Sequence, residues 1–302
     1  VNPRSWLYVP ADQPDKLERA DTRGADALIV DLEDAVAPAA KPTARRLLAQ
    51  WLASRDPAVG AGPDIWVRVN PSGPGGAPPL KDLAVAVHPV VNGVVVAKCE
   101  SAAALVRLDE ALAAVEQDVG VPAGRTAVSV LIESAAGLLA LPSLVAAPRV
   151  VRVQLGEADL IAALRMSPGP DRSELLPIRL SLVVHSAAGG LEPPIGPVHT
   201  GLSDLDELTR STSALARLGF FGRAAVHPAQ VKVINDVFTP NGQQIAAASD
   251  LLARFAAAAE ADLGVVLAAD GSLIDEAVVR SARATLAIAG VASNGADGHG
   301  SR

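Results

Sequence analysis

Short runs rich in β-branched residues alternate with longer helix-like stretches along the chain, and this alternation restricts the fold more than any other feature. Parallel strands need a long crossover between them, and a helix supplies it, so repeated β-then-α units point to a parallel sheet wrapped by helices. Eight strand candidates can be read: WLYVP (6–10), ALIVDLE (27–33), IWVRVN (65–70), GVVVAK (93–98), AVSVLIE (127–133), VVRVQLG (150–156), PIGPVHT (194–200) and RAAVH (223–227). Between them lie helical stretches such as 41–53, 101–117, 175–188 and 204–219, the last with Asp204 placed as N-cap and Gly219 as its stop.

Eight βα units in about 240 residues fit a closed (β/α)8 TIM barrel. An open doubly wound sheet is the competing arrangement, but the glycine-rich phosphate loop expected after its first strand is missing. Residues 242–263 and 272–290 are again helical and continue past the eighth unit. The expected α/β organisation is therefore a barrel catalytic domain over 1–240, a C-terminal helical extension over 241–292 and a disordered tail over 293–302, which lacks apolar periodicity. PSGPGGAPPL (71–80) reads as a flexible loop after the third strand, where a lid or substrate entrance could sit.

Hydrophobic residues make up 50% of the chain and aromatics only 3%, so the core must be built from small and branched aliphatic side chains. The net charge of −7 argues against nucleic acid as a partner, since phosphate backbones need a concentrated basic face. One cysteine, Cys99, excludes an intrachain disulfide framework and fits a reducing cytoplasm, where it reads as a small buried hydrophobe. No stretch is apolar for long enough to span a membrane, and the first residues lack a secretory signal pattern, so a cytoplasmic protein is expected.

Chemistry in such barrels collects where strands give way to their helices. Those positions hold Pro10, then Asp31, Glu33 and Asp34, then Arg68, Lys98, Glu133, Asp159, His199 and His227. Glu133 and Asp159 each follow an apolar run, and an acid there must be paired, hydrated or bound to a cation. Two carboxylates from neighbouring strands make half a site for a hard divalent metal. Glu133 could instead serve as a helix N-terminal acid, and Glu157 competes with Asp159. Asp31, Glu33 and Asp34 suit water-holding and proton transfer, or else helix capping and pairing with a base. Arg68 lies in a strand so apolar that it needs an anionic partner, either a substrate carboxylate or enolate, or one of these acids. Lys98 reads as a structural or anion-binding lysine and His227 as a hydrogen-bonded core histidine.

RSWLYVPADQPDKLERA, GADALIVDLEDAVAPAAKPTAR, WVRVNP, VLIESAAGL, LGEADL and FFGRAAVHPAQVKVIN resemble, in that order, the landmarks of the HpcH/HpaI aldolase and citrate lyase β-subunit-like family, and are most similar to its CoA-ester lyases. The resemblance runs from about residue 4 to 240. It implies a (β/α)8 barrel, usually in homotrimers or hexamers, whose C-terminal helices help close a barrel mouth. It also implies Mg2+-dependent (or Mn2+-dependent) carbon–carbon lyase chemistry beside an acyl-CoA thioester, with a 2-oxo acid as product or co-substrate. Glu133 and Asp159 take the places of the metal-binding acids, and Arg68 that of the substrate-binding arginine. An acyl-CoA thioesterase and the β-subunit of a citrate lyase complex are the alternatives. Arg4, Lys16 and Arg19 are candidates for CoA phosphates, with solvated surface charge as the other reading of each. The chain departs from the family pattern at Ala97, which precedes Lys98 where proline is usual, and at Arg165, which stands where glycine is frequent. It also lacks the acid many relatives carry near PVHT.

Overall fold

The computed structural model describes residues 2–56, 62–260, 267 and 273–290, and the expected tail at 293–302 lies outside them. Seven strands, β1 (Ser5–Pro10), β2 (Ala27–Asp31), β3 (Asp64–Val69), β4 (Gly93–Val96), β5 (Ala127–Ile132), β6 (Val150–Leu155) and β7 (Arg223–Ala225), form one sheet in the order β6-β5-β4-β3-β2-β1-β7. Every pairing is parallel. The helices are α1 (Pro14–Arg19), α2 (Lys41–Ala53), α3 (Leu80–Ala86), α4 (Ala102–Val119), α5 (Ala135–Leu144), α6 (Glu157–Ala163), α7 (Leu176–Ala188), α8 (Leu205–Leu218), α9 (Pro228–Phe238), α10 (Gly242–Glu260) and α11 (Glu276–Ile288). β2 and β4 are buried along their whole length, which explains why they are apolar throughout except for Asp31 at the carboxyl end of β2: helices cover one face and the sheet's own interior the other. At α8 the Asp204 carboxylate accepts the Glu207 N–H at 2.8 Å, and Gly219 ends the helix at φ 103°, a left-handed conformation open to glycine.

The seventh expected strand, at 194–200, is corrected: it contributes only single parallel bridges, Ile195 to Gln154 of β6 and Gly196 to Arg223 of β7. Ile195 donates to Val153 and accepts from Leu155, while Gly196 donates to Gly222 and accepts from Ala224. Pro194 and Pro197 flank these two residues, and neither has an N–H to extend a ladder, so regular pairing stops after one residue on each side. This β-like run therefore touches both edge strands of the sheet without being a strand itself.

The interior of the sheet is filled by Trp6, Ile29, Trp66, Val95, Leu131, Ile195 and their small neighbours. Trp6 and Trp66 lie 5.5 Å apart between ring centroids, tilted by 60°. Room for Trp66 comes from its register partner Gly93, where an added Cβ would stand 2.5 Å from the indole ring. Two of the three tryptophans are thus at the centre of the sheet, with Tyr8 packed against the same cluster.

The chain divides into two compact units, Pro3–Val237 and one that begins at Phe238. In the second, α10 and α11 pack through Ala248, Ala282 and Leu286 with Ile245, Leu251 and Leu252. Cys99 is buried, and burial pushes its thiol up to about 11, as expected of a packing residue. Among the described residues no helix is long and apolar enough to cross a membrane.

Candidate active site

The carboxyl ends of the strands open into a cavity of about 650 Å³, and Asp31, Arg68, Glu133, Glu157 and Asp159 line it together with Tyr8. Asp31 and Arg68 are register partners on β2 and β3, so their side chains leave adjacent strands on one face. The result is a two-pronged ion pair, with Arg68 Nε 2.7 Å from Asp31 Oδ1 and Nη2 2.5 Å from Oδ2. Asp31 is fully buried, and its oxygens also accept the N–H groups of Glu33 and Ala35 at 2.8 and 3.0 Å. Burial alone would lower the Arg68 guanidinium, but Asp31, with Tyr8 and Glu33 adding to it, raises it above its ordinary value. Among the described residues its remaining nitrogen, Nη1, has only a longer contact, 3.4 Å to Glu33. The salt-bridge reading of Arg68 is therefore realised, while the residue still borders the cavity.

Glu33 and Asp34 do not line the cavity. They meet Lys98, whose Nζ is 2.6 Å from Glu33 Oε1 and 3.2 Å from Asp34 Oδ1. Burial, with Asp34 adding to it, raises the Glu33 carboxyl despite Lys98, whereas Lys98 and Glu33 hold Asp34 below its ordinary value. The Lys98 N–H donates to Glu133 Oε1. On the other side of Glu133 lies Gly156, where any Cβ would stand 2.6 Å from the Glu133 Cβ. Glycine at 156 is what lets β6 pass this close to the acid.

Four acids border the cavity, and two of them are spoken for. Asp31 has Arg68, and Glu157 has Arg179 at 2.8 Å and Arg172 at 3.4 Å. Glu133 and Asp159 have no basic partner within ion-pairing distance among the described residues. Glu133 is only 5% exposed, and burial, with Asp159 and Glu33 adding to it, lifts its carboxyl to about 7. A buried acid raised in this way is one that a bound cation would return to its charged form. Asp159 is exposed in the first turn of α6. The donor set therefore fits a hard, oxygen-seeking divalent ion such as Mg2+. Among the described residues no three His, Cys, Asp or Glu side chains are gathered as a ready cation site, so the other ligands would be water and substrate oxygens. Of the two competing acids, Glu157 is the one paired with arginine, and Asp159 the one that is not among the described residues.

Two expectations are corrected. His227 is exposed rather than in the core, because it begins α9 ahead of Pro228, and its Nδ1 accepts the Ala229 N–H at 3.2 Å. The 71–80 loop does not reach the cavity: it turns back on itself through a Gly73–Ala77 bridge and is held by Arg107 on the Gly76 carbonyl. Of the basic candidates near the first βα loop, Arg4 is tied to Asp26 at 2.7 and 2.9 Å, and Lys16 lines the cavity. Arg19 does not line it. Arg23, which sequence reasoning missed, does, at the end of a short 3-10 turn that no hydrophobic periodicity announces. Lys16 and Arg23 are exposed, and their side chains make no ion pair among the described residues.

Comparison with known proteins places the chain in a family. The sequence pattern of the family described as HpcH/HpaI aldolase/citrate lyase matches residues 4–228. The chain is 29% identical over 289 residues to the citrate lyase subunit beta of Leuconostoc mesenteroides subsp. cremoris, covering 95% of this chain and 93% of that one. It is 32% identical over 284 residues to the (3S)-malyl-CoA thioesterase of Cereibacter sphaeroides, covering 94% and 93% respectively. The crystal structure of CitE from Mycobacterium tuberculosis in complex with magnesium, acetoacetate and coenzyme A superposes with a TM-score of 0.73 at 29% identity, over 95% of this chain and 97% of that one. With a family match across most of its length, and with its acids and arginine gathered at the strand ends, the chain belongs to the HpcH/HpaI aldolase/citrate lyase family.

Proposed function

We propose that the protein is a Mg2+-dependent carbon–carbon lyase that cleaves or forms a 3-hydroxyacyl-CoA thioester, giving acetyl-CoA or a related acyl-CoA and a 2-oxo acid. The observation that carries the reading is the pair Glu133 and Asp159, the two cavity acids without a basic partner, beside an arginine already fixed by Asp31. In the same reading, 194–200 takes the seventh place, in chain order, of a closed (β/α)8 barrel over 1–240, supported by its bridges to both β6 and β7.

Glu133 and Asp159 hold the metal, and Mg2+, or Mn2+ in its place, supplies Lewis-acid polarisation of 2-oxo or 3-hydroxy acid oxygens when bound. Arg68 presents Nη1 to the substrate carboxylate or to the charge that develops on the thioester enolate, while Asp31 keeps the guanidinium from turning. Such a preset donor acts most strongly where water is scarce. Asp31, Glu33 and Asp34 serve behind it: Asp31 orients, and Glu33 and Asp34, reached through Lys98 and water, carry protons. Lys16 and Arg23 suit the phosphates of CoA at the cavity rim. Malyl, citramalyl and citryl thioesters of CoA, assayed for 2-oxo acid release with and without Mg2+, test the reading; release of 2-oxo acid only with metal supports it.

Two further outcomes are open to the same cleft. The similarity to a (3S)-malyl-CoA thioesterase favours water as the final acceptor, and this would appear in the assay as free hydroxy acid and CoA in place of 2-oxo acid. The similarity to a citrate lyase subunit beta favours an acyl-carrier thioester as substrate, and inactivity on every free CoA ester would point there.

A further inference from the structure

Lys98 holds a backbone conformation that lysine has no reason to adopt on its own. Its φ is 50°, in the left-handed region that side chains with a Cβ avoid, and it shares this among non-glycine residues described here only with Arg149, Arg165 and Arg172. The β4–β5 ladder ends at the pair Val96 and Val130, two residues before Lys98 and three before Glu133. Beyond that point the chain turns, and the Lys98 N–H meets the Glu133 carboxylate instead of a strand partner. That N–H is the sole protein donor to Glu133 among the described residues. The ammonium of the same residue is committed elsewhere, to Glu33 and Asp34.

We propose that Lys98 is a positioning residue for the metal carboxylate, acting through its left-handed backbone rather than its ammonium: the strained turn presents the N–H that keeps Glu133 beside Asp159. The inference rests on the reading of Glu133 as a metal ligand. Strain held at a functional position by its surroundings is a recognised form of preorganisation, and here Gly156 closes the opposite side of the same carboxylate. Electrostatics separates the two halves of Lys98. A positive charge near a cation site repels the cation, so loss of the ammonium should not weaken metal binding, whereas loss of the turn should.

Lys98→Gly and Lys98→Val both remove the ammonium and differ in their tolerance of positive φ, because glycine adopts it freely and a β-branched residue resists it. Mn2+ affinity of the full-length protein is measured by calorimetry, alongside the Mg2+ concentration for half-maximal turnover, kcat at saturating Mg2+, and Tm. Lys98→Gly is expected to bind Mn2+ at least as tightly as wild type, and Lys98→Val about 10- to 100-fold more weakly. The half-saturating Mg2+ concentration should rise in the valine variant by more than kcat falls. Equal affinities in the two variants would overturn the proposal, and equal losses would assign the effect to the ammonium. Should valine prevent folding, Lys98→Ala, matched in charge and milder in strain, replaces it against glycine. Glu133→Gln completes the set: if it abolishes Mn2+ binding while the glycine and valine variants coincide, the role of Lys98 alone is wrong, and if it binds Mn2+ like wild type, the metal reading fails and this inference falls with it.

Discussion

At the scale of single residues, the site is an arrangement of charges in which most acids are already satisfied. Arg68 is fixed by Asp31, Glu157 by Arg179, and Glu33 by Lys98, which leaves Glu133 and Asp159 as the cavity acids without a basic partner among the described residues. Arg68→Lys keeps the charge but cannot reproduce both bonds to Asp31 while still offering Nη1 to a ligand. Turnover in the folded variant is expected to fall by roughly 10- to 1000-fold, the size of one lost transition-state contact. Steady-state kinetics beside circular dichroism check this; near wild-type turnover would leave Arg68 with a purely structural role. The acids themselves were legible in the sequence because each follows an apolar run. The discrimination between Glu157 and Asp159 was not, since it depends on Arg179, which stands 22 residues further along on α7. The left-handed backbone at Lys98 was equally hidden, because a lysine carries no signal for positive φ. Arg165, in contrast, is at φ 53° where the resembling family often has glycine, so the departure falls at a position whose left-handed backbone suits glycine.

At the scale of elements, helices were read more faithfully than strands. α2 and α7 begin and end within a residue of the expected stretches because their apolar faces recur at helical spacing and their ends carry proline, glycine or caps. The segment at 194–200 misled because its apolar content suggested a strand, while its two prolines limit it to a single bridge on either side. One element junction has a measurable electrostatic consequence. Glu116 of α4 is fully buried and accepts bonds from Arg149 at 2.7 Å and from the N–H groups of Thr126 and Gly124 at 2.8 and 2.9 Å. Burial would raise its carboxyl, but these donors prevail and hold it at about 2, below its ordinary 4.5. A depressed acid stabilises the fold above its unfolded value and loses that contribution as pH falls through its folded value, so the window runs from about pH 4.5 down to about pH 2. The difference in unfolding free energy between wild type and Glu116→Gln should shrink by about 3 kcal/mol across that window. Urea unfolding at a series of pH values measures it, and a gap that stays constant with pH would show that the network does not hold Glu116 ionised.

At the scale of the whole molecule, the parallel order of the sheet and the convergence of the site at its strand ends follow from the βα alternation, and this much was readable before any coordinates. How the two compact units serve function was not, because assembly depends on surfaces that no periodicity labels. We propose that the protein is a homotrimer or hexamer in which the helical extension at 241–292 helps close a barrel mouth. Removal of the chain after residue 240 should then abolish assembly and activity together while Mn2+ binding persists. A truncated protein that remains active as a monomer by light scattering would show that the extension is only an appendage. The lyase assignment itself meets its most direct test in Mg2+-dependent release of a 2-oxo acid from the panel of 3-hydroxyacyl-CoA thioesters, run on wild type, Glu133→Gln and Asp159→Asn. Cleavage by wild type that stops with EDTA, returns with Mg2+ or Mn2+, and is lost in both folded variants is the expected result; full turnover in metal-stripped protein, or in either variant, would contradict it.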